Sequence, residues 1–131
     1  MPRTVVALAL SSHPGPSVVV SAVAAVLGIA VGLDPPHVAI LGIAFLLGQL
    51  SVGLSNDWID AERDRAVGRT DKPVAAGHVS VGTVRAASFI TAVAAILITL
   101  PLGCFATLAH TIFILSDPAS MNRLASSGFL S

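Results

Sequence analysis

Acidic and amide side chains gather in one stretch of this apolar sequence, residues 55–77. If the hydrophobic segment before it continues as a helix, Asn56, Asp60 and Asp64 fall four residues apart on one helix face, spread over about 12 Å. Oxygen side chains placed this way repel one another unless a cation lies between them. Such ligands, with no His or Cys nearby, favour Mg²⁺ bound together with substrate phosphate oxygens. Asp57 faces another side of the helix, where it could orient a ligand or bind an arginine.

Basic side chains follow these acids directly. Arg69 and Lys72 are placed to hold the outer oxygens of a diphosphate while Mg²⁺ bridges its inner ones. The plain alternative is a solvated mixture of acids and bases, which is common after a hydrophobic helix. Such a mixture needs no particular spacing of its acids. The specific spacing N-D-x-x-D-x-x-x-D therefore favours a binding site.

The composition indicates that lipid is the solvent of this chain. Of its 131 residues, 54% are hydrophobic and 11% are charged, and its mean hydropathy is +0.87. Soluble domains carry about 25% charged residues. Seven basic and seven acidic residues cancel, so the bulk charge gives no support for nucleic-acid binding.

Three apolar runs without a charge predict membrane-spanning helices: residues 17–33, 38–54 and 86–102. Each is about 17 residues long, the lower limit for crossing the hydrocarbon core. A fourth run, residues 105–115, is too short for a complete span. We therefore expect an all-α integral membrane helical bundle over residues 17–115, with three transmembrane helices plus a partial fourth. Residues 1–16 form an N-terminal segment, and residues 116–131 a divergent, disordered tail.

Basic residues in the short loops predict the orientation of the bundle. Five of them lie between the second and third spans or at the edge of that loop: Arg63, Arg65, Arg69, Lys72 and Arg85. The loop between the first and second spans has none. Since basic loops face the cytoplasm, residues 56–82 and the N-terminal segment are expected on the cytoplasmic side of the cell membrane. The three predicted spans contain no charged residue, so the sequence gives no support for a channel or transporter subunit.

The stretch NDWIDAERDRAVGRTDKPVAAGHVS resembles the first aspartate-rich motif and the following loop of the UbiA superfamily of intramembrane prenyltransferases. Four residues match the fixed positions of the motif: Asn56, Asp57, Asp60 and Asp64. Four more match the basic-Pro-small-Gly segment that follows: Arg69, Lys72, Pro73 and Gly77. The resemblance extends over residues 12–111.

This resemblance implies transfer of an isoprenyl group from a prenyl diphosphate to an acceptor, for which an aromatic compound is one candidate. It implies Mg²⁺ as the cofactor, bound by the four motif residues, Asn56, Asp57, Asp60 and Asp64. The diphosphate would bind Arg69, Lys72 and Asn56, and the catalytic residues would be Asp60, Asp64 and Lys72. Departure of the diphosphate is then assisted electrostatically, and the bundle keeps water from the prenyl cation.

Two departures from the family pattern affect this prediction. Lys72 stands where many members have Arg, so a point charge replaces a bidentate guanidinium. Members also carry a second aspartate-rich motif on a later helix. In this sequence a single acid, Asp117, follows the first motif and its loop. We therefore expect a truncated prenyltransferase whose missing helices a partner chain could supply. The alternative is a non-catalytic membrane fragment or partner-binding subunit that keeps the first motif alone.

Overall fold

Helices make up the regular structure of residues 2–116 and residue 125, the part of the chain that a computed structural model describes. The helices are α1 Pro2–Ser11, α2 Pro14–Ala30, α3 Pro35–Ile59, α4 Ala61–Ala66, α5 Val81–Ile98 and α6 Cys104–Ser116, with a 3₁₀ helix at Leu100–Leu102. No strand occurs in the described residues, so the predicted all-α class is confirmed. Nearly all of the predicted disordered tail lies outside the described residues.

Two helical segments are long and apolar enough to cross a membrane by themselves: α3 and the segment Val81–Leu102, which joins α5 to the 3₁₀ helix. α1 and α2 pass the same test only as a pair, and they meet at a bend of 63°. α6 is apolar but shorter. The described chain thus offers two candidate spans, or three if the bent pair is one span. The sequence predicted three and a partial fourth.

Local signals position the starts of the two long helices. The Asp34 carboxylate caps α3 by accepting a hydrogen bond from the backbone N–H of His37 at 3.0 Å, and prolines occupy the first helical positions. The Ser80 hydroxyl caps α5 by accepting from the backbone N–H of Thr83 at 3.1 Å. The cap at Asp34 starts α3 far enough upstream that the acidic motif falls at the other end of this helix.

α3 lies between α2 and α5 and packs extensively against both. Small residues dominate its buried face: Ala44, Gly48, Ser51, Gly53 and Ser55. Such residues let membrane helices approach closely. The Ser51 hydroxyl donates to the backbone carbonyl of Ser88 on α5 at 2.9 Å, and the Trp58 indole N–H donates to the Ser88 hydroxyl at 3.2 Å. α3 is therefore tied to α5 both just before the motif, at Ser51, and within it, at Trp58.

The bend between α1 and α2, which we call the elbow (Ser12 to Pro14), rests on the side of α3. His13 has a left-handed backbone (φ 52°), which is uncommon for a residue with a side chain. The Ser17 hydroxyl donates to the His13 carbonyl at 3.1 Å. A Cβ added to Gly53 would lie 2.3 Å from the Ser12 carbonyl oxygen. Only glycine therefore allows the elbow to pack on α3 as it does.

We expect Gly53→Ala to lower the free energy of unfolding by about 3 kcal/mol, the upper end for overpacking, because the obstructing atoms belong to the backbone. Gly42→Ala on the same helix is the matched control, since its Cβ would lie 3.8 Å from the nearest atom, the Ala25 Cβ. Alanine is the better helix former, so this control should gain up to about 1 kcal/mol. Unfolding by SDS in mixed micelles measures both. Equal stabilities would contradict the contact between the elbow and α3.

A hydrophobic cluster closes the end of the bundle that carries the acidic motif. Its buried members come from α1, α3, α4, the following loop and α5: Ala7, Leu54, Ala61, Val74, Val79 and Val84. Part of the predicted N-terminal segment, residues 1–16, therefore contributes to the packed core. Residues 2–11 form α1, which packs into this cluster through Ala7.

Candidate functional site

The acidic motif crosses the junction between α3 and α4. α3 ends at Ile59, and Asp60 forms a bend whose backbone stays nearly helical (φ −87°, ψ −1°). The hydrogen bonds continue across it: the Asp60 N–H donates to the Asn56 carbonyl at 3.1 Å, and the Asp64 N–H donates to the Asp60 carbonyl at 2.9 Å. The four-residue register used in the sequence argument is therefore kept, although the helix is interrupted once.

Burial separates the motif side chains in a way that the sequence argument did not predict. Asp57 is 1% exposed and Asp64 is 4% exposed, whereas Asn56 is exposed and Asp60 is half-buried. Four buried residues follow the spacing of a helix face packed on a core: Leu54, Asp57, Ala61 and Asp64. The structure thus brings Asp57 and Asp64 to this inner face and leaves Asn56 outside it.

Asp57 is the most unusual of the four. Neither oxygen of its buried carboxylate has a hydrogen-bond partner among the described residues. An isolated carboxylate in an apolar interior is strongly destabilising unless a donor or cation compensates it. Gly53, which contacts the elbow, lies one helical turn before Asp57 on roughly the same face. Asp57 therefore lies on the side of α3 on which α1 and α2 meet.

Three of the basic side chains around the motif are already paired with acids. Three ion pairs connect them: Lys72–Asp64, Arg69–Asp71 and Arg63–Asp60. The Lys72 Nζ lies 2.9 Å from the Asp64 Oδ2, and these side chains are 14% and 6% exposed. The Arg69 guanidinium binds both oxygens of Asp71, with its Nε 2.7 Å from the Oδ1. Arg69 and Lys72, the predicted diphosphate ligands, must therefore exchange partners to bind an anion.

The Arg69–Asp71 pair is exposed, and each member shifts the pKa of the other. The hydrogen bonds to Asp71 raise the pKa of Arg69, with smaller effects from the charges of Asp64 and Asp57. The hydrogen bond from Arg69 lowers the pKa of Asp71 from 3.8 to about 2. Because this pKa is lower in the folded state, the contribution of the pair to stability is complete above about pH 4 and is lost as the pH falls through about 2. At neutral pH Arg69 is charged and within electrostatic reach of the two buried acids.

The loop that follows α4 is anchored to the bundle. Val74 is fully buried in the hydrophobic cluster, and its carbonyl accepts a hydrogen bond from the Arg65 Nη2 at 3.1 Å. The Arg69 backbone N–H donates to the Asp64 carbonyl at 2.9 Å. The loop cations are therefore held beside the motif by the backbone as well as by their ion pairs.

The donor set of the inner face fits Mg²⁺. Within residues 2–116, no three His, Cys, Asp or Glu side chains converge as metal ligands. However, Mg²⁺ usually takes one or two protein carboxylates and keeps several waters, and Asp57 offers a buried carboxylate whose oxygens lack another partner. The assignment of Asn56, Asp57, Asp60 and Asp64 to the metal stays a prediction. Of these, Asp57 and Asp64 share the inner face.

Sequence reasoning missed a buried hydroxyl next to the elbow. Ser11 is 1% exposed, and its Oγ has no hydrogen-bond partner among the described residues. It is the last residue of α1, in the segment that was expected to lie ahead of the bundle. Ser11 adds a second uncompensated polar group to the interior at this end of the protein, and no periodicity in the sequence pointed to it.

Comparison with known proteins confirms the family that the motif predicted. No curated protein and no solved structure matches the chain. The family model described as the UbiA prenyltransferase family matches residues 5–116, a slightly wider range than the predicted 12–111. The family and the apolar helices together support a prenyltransferase-like membrane protein. The chain belongs to the UbiA prenyltransferase family.

Proposed function

We propose that this chain binds a prenyl diphosphate at the inner face of its acidic motif and acts in the transfer of the isoprenyl group to an acceptor. Family membership supports the reaction class. One structural observation carries the assignment of the site: the buried Asp57 carboxylate has no hydrogen-bond partner among the described residues.

The basic side chains bind the substrate in this proposal. Arg69 leaves Asp71 and Lys72 leaves Asp64, and both then hold the outer oxygens of the diphosphate through charge-assisted hydrogen bonds. Asn56, which is exposed at the rim, donates its amide N–H to the same group. Because these side chains stabilise the charge that develops on the diphosphate, they lower the barrier for breaking the bond to the prenyl carbon.

The four motif residues would hold the cofactor, which we propose is Mg²⁺: the amide oxygen of Asn56 and the carboxylates of Asp57, Asp60 and Asp64. When bound, the metal neutralises charge on the diphosphate and makes it a better leaving group. Asp60 and Asp64, together with Lys72, are the catalytic residues in this proposal, because each acid already pairs with a basic side chain, Asp60 with Arg63 of α4 and Asp64 with Lys72 of the loop.

We further propose that the protein crosses the cell membrane several times, with residues 56–82 on the cytoplasmic side. The basic residues of this loop support that orientation. Large apolar side chains are exposed along α2 and α5, among them Val26, Ile29, Ile90 and Leu97. In a membrane these side chains contact lipid, so the tail of a prenyl donor can approach from the bilayer while its diphosphate binds at the motif.

Binding of inorganic pyrophosphate by the chain in lipid nanodiscs tests the site. We expect pyrophosphate to raise the melting temperature in Mg²⁺ and to leave it unchanged in EDTA. A ligand at 100 times its dissociation constant adds about 2.7 kcal/mol of stability, which is easily measured. If neither condition produces a shift, the diphosphate site is wrong.

Asp71→Asn sharpens this test. The neutral amide releases Arg69, so we expect pyrophosphate to bind severalfold more tightly than to the original chain. Glu62→Gln is the matched control, because Glu62 is an exposed acid of α4 with no ion pair in the described part. An equal gain in both variants would indicate a general charge effect and would argue against Arg69 as a ligand.

Release of inorganic diphosphate from farnesyl diphosphate separates the enzyme from the alternative. Release by the 131-residue chain, in addition to binding, would support an active prenyltransferase. Binding without release would support the alternative, a non-catalytic subunit with the first aspartate-rich motif. Catalysis would then need a partner chain.

A further inference from the structure

A cavity lies between α1 and the loop that follows α4, at the same end of the bundle as the acidic motif. Its volume is about 590 Å³, and it is lined by Arg3, Val6, Ala7, Leu10, Pro73 and His78. Ligand pockets commonly measure about 300–1,000 Å³. Apart from Arg3 and His78 its wall is apolar, so its chemistry suits a molecule with an anionic head and a hydrocarbon body.

Arg3 differs from the other basic side chains of the described residues. Three are paired with acids, Arg65 donates to the Val74 carbonyl, and Arg85 lies over the Trp58 ring at 5.6 Å. Arg3 has no such partner in the described part of the chain. The His78 imidazole on the opposite wall is exposed, and it too lacks a side-chain partner there. Two residues that carry donors for an anion thus line the cavity from separate elements.

α1 has the dimensions of a helix that lies along the membrane surface. Its 10 residues extend about 15 Å, half of the hydrocarbon thickness, and it bends 63° away from α2. Its apolar side chains Val5, Val6 and Leu10 are 63%, 57% and 57% exposed. A cation beside exposed apolar residues on a short helix matches the surface of a membrane that contains anionic lipids.

We propose that this cavity binds one anionic phospholipid, with its phosphate at Arg3 and His78 and an acyl chain against Val6, Ala7 and Leu10. Arginine offers two parallel N–H donors to phosphate, and either imidazole nitrogen that carries a proton donates a further hydrogen bond. The acyl chain covers apolar surface that the described chain leaves open. This lipid site is separate from the prenyl diphosphate site, so either proposal can fail without the other.

Trp58 is the single tryptophan of the chain and serves as the reporter. It packs on the hydrophobic cluster that contains Ala7, which also lines the cavity. The full chain is reconstituted in vesicles of phosphatidylglycerol and phosphatidylcholine, with one or the other lipid brominated so that it quenches the indole. We expect a preference for phosphatidylglycerol of about fivefold, the effect of one basic residue near an anionic headgroup.

Two charge variants locate the site. Arg3→Gln should abolish the preference. Arg63→Gln removes the same charge from a side chain that is 73% exposed and paired with Asp60, and it should keep the preference. Loss of the preference in both variants, or in neither, would overturn the proposal, because the attraction would then be general or would lie elsewhere.

A double variant tests the apolar part of the cavity. Val6→Phe with Leu10→Phe enlarges two exposed side chains without adding a fluorescent indole, so the fold should tolerate it. We expect phosphatidylglycerol to lose its preferential quenching because the acyl chain no longer fits. Unchanged preferential quenching would overturn the assignment of the lipid to this cavity.

Discussion

Lys72→Met is expected to lower the free energy of unfolding by about 3–5 kcal/mol, the cost of removing one partner from a buried ion pair. Lys72 and Asp64 are 14% and 6% exposed and lie 2.9 Å apart, so the variant would leave the Asp64 carboxylate uncompensated in the interior. Neutralising both partners removes this penalty. Asp64→Asn combined with Lys72→Met should therefore regain most of the lost stability.

The double variant also separates structure from function. Its fold should be close to that of the original chain, yet it should not bind pyrophosphate, because Lys72 and Asp64 both belong to the proposed site. SDS unfolding in mixed micelles gives the stabilities, and the pyrophosphate melting shift in Mg²⁺ gives the binding. If Lys72→Met alone is as stable as the original chain, the ion pair does not hold the loop to the motif.

Asp57→Asn should change stability and activity in opposite directions. The Asp57 carboxylate is 1% exposed and has no partner among the described residues, so without ligand its charge destabilises the fold. The neutral isostere should therefore raise the stability measured in EDTA. With Mg²⁺ and a prenyl diphosphate the same change should lower turnover about 10²–10³-fold, the loss typical of one group that stabilises developing charge.

Glu62→Gln is the control for this prediction. It removes one carboxylate from the same motif region, but Glu62 is exposed. We expect little change in its stability or in its melting shift with pyrophosphate and Mg²⁺. If Asp57→Asn is less stable than the original chain in EDTA, the carboxylate already has a compensating partner. The argument for a cation beside Asp57 would then lose its basis.

Hydrophobic length predicted the central helices well. The run 38–54 lies within α3, the run 86–102 lies within Val81–Leu102, and the caps at Asp34 and Ser80 are local signals. The elbow could not be predicted in the same way. It depends on the contact between the backbone of Ser12 and Gly53, two residues far apart in the sequence. A local pattern contains no information about that contact.

The site was predicted in its residue types but not in its arrangement. A spacing of four residues put Asn56, Asp60 and Asp64 on one stripe, whereas packing selects the face of Asp57 and Asp64. The sequence does contain a signal for this face, since the apolar residues Leu54 and Ala61 share the helical spacing of Asp57 and Asp64 across the junction of α3 and α4. The pairing of Lys72 with Asp64 could not be predicted from the sequence, because it depends on how Val74 and Val79 pack the loop onto the bundle.

The ion pairs around the motif also set how much negative charge a ligand needs in order to bind there. A membrane surrounds this end of the protein with phosphodiesters, each carrying a single negative charge. Because Arg69 and Lys72 already hold internal counter-ions, Asp71 and Asp64, a singly charged headgroup gains little by displacing either acid. A diphosphate can replace both at once. These internal ion pairs would thus keep the proposed diphosphate site from being occupied by phospholipid headgroups, the most abundant anions around it.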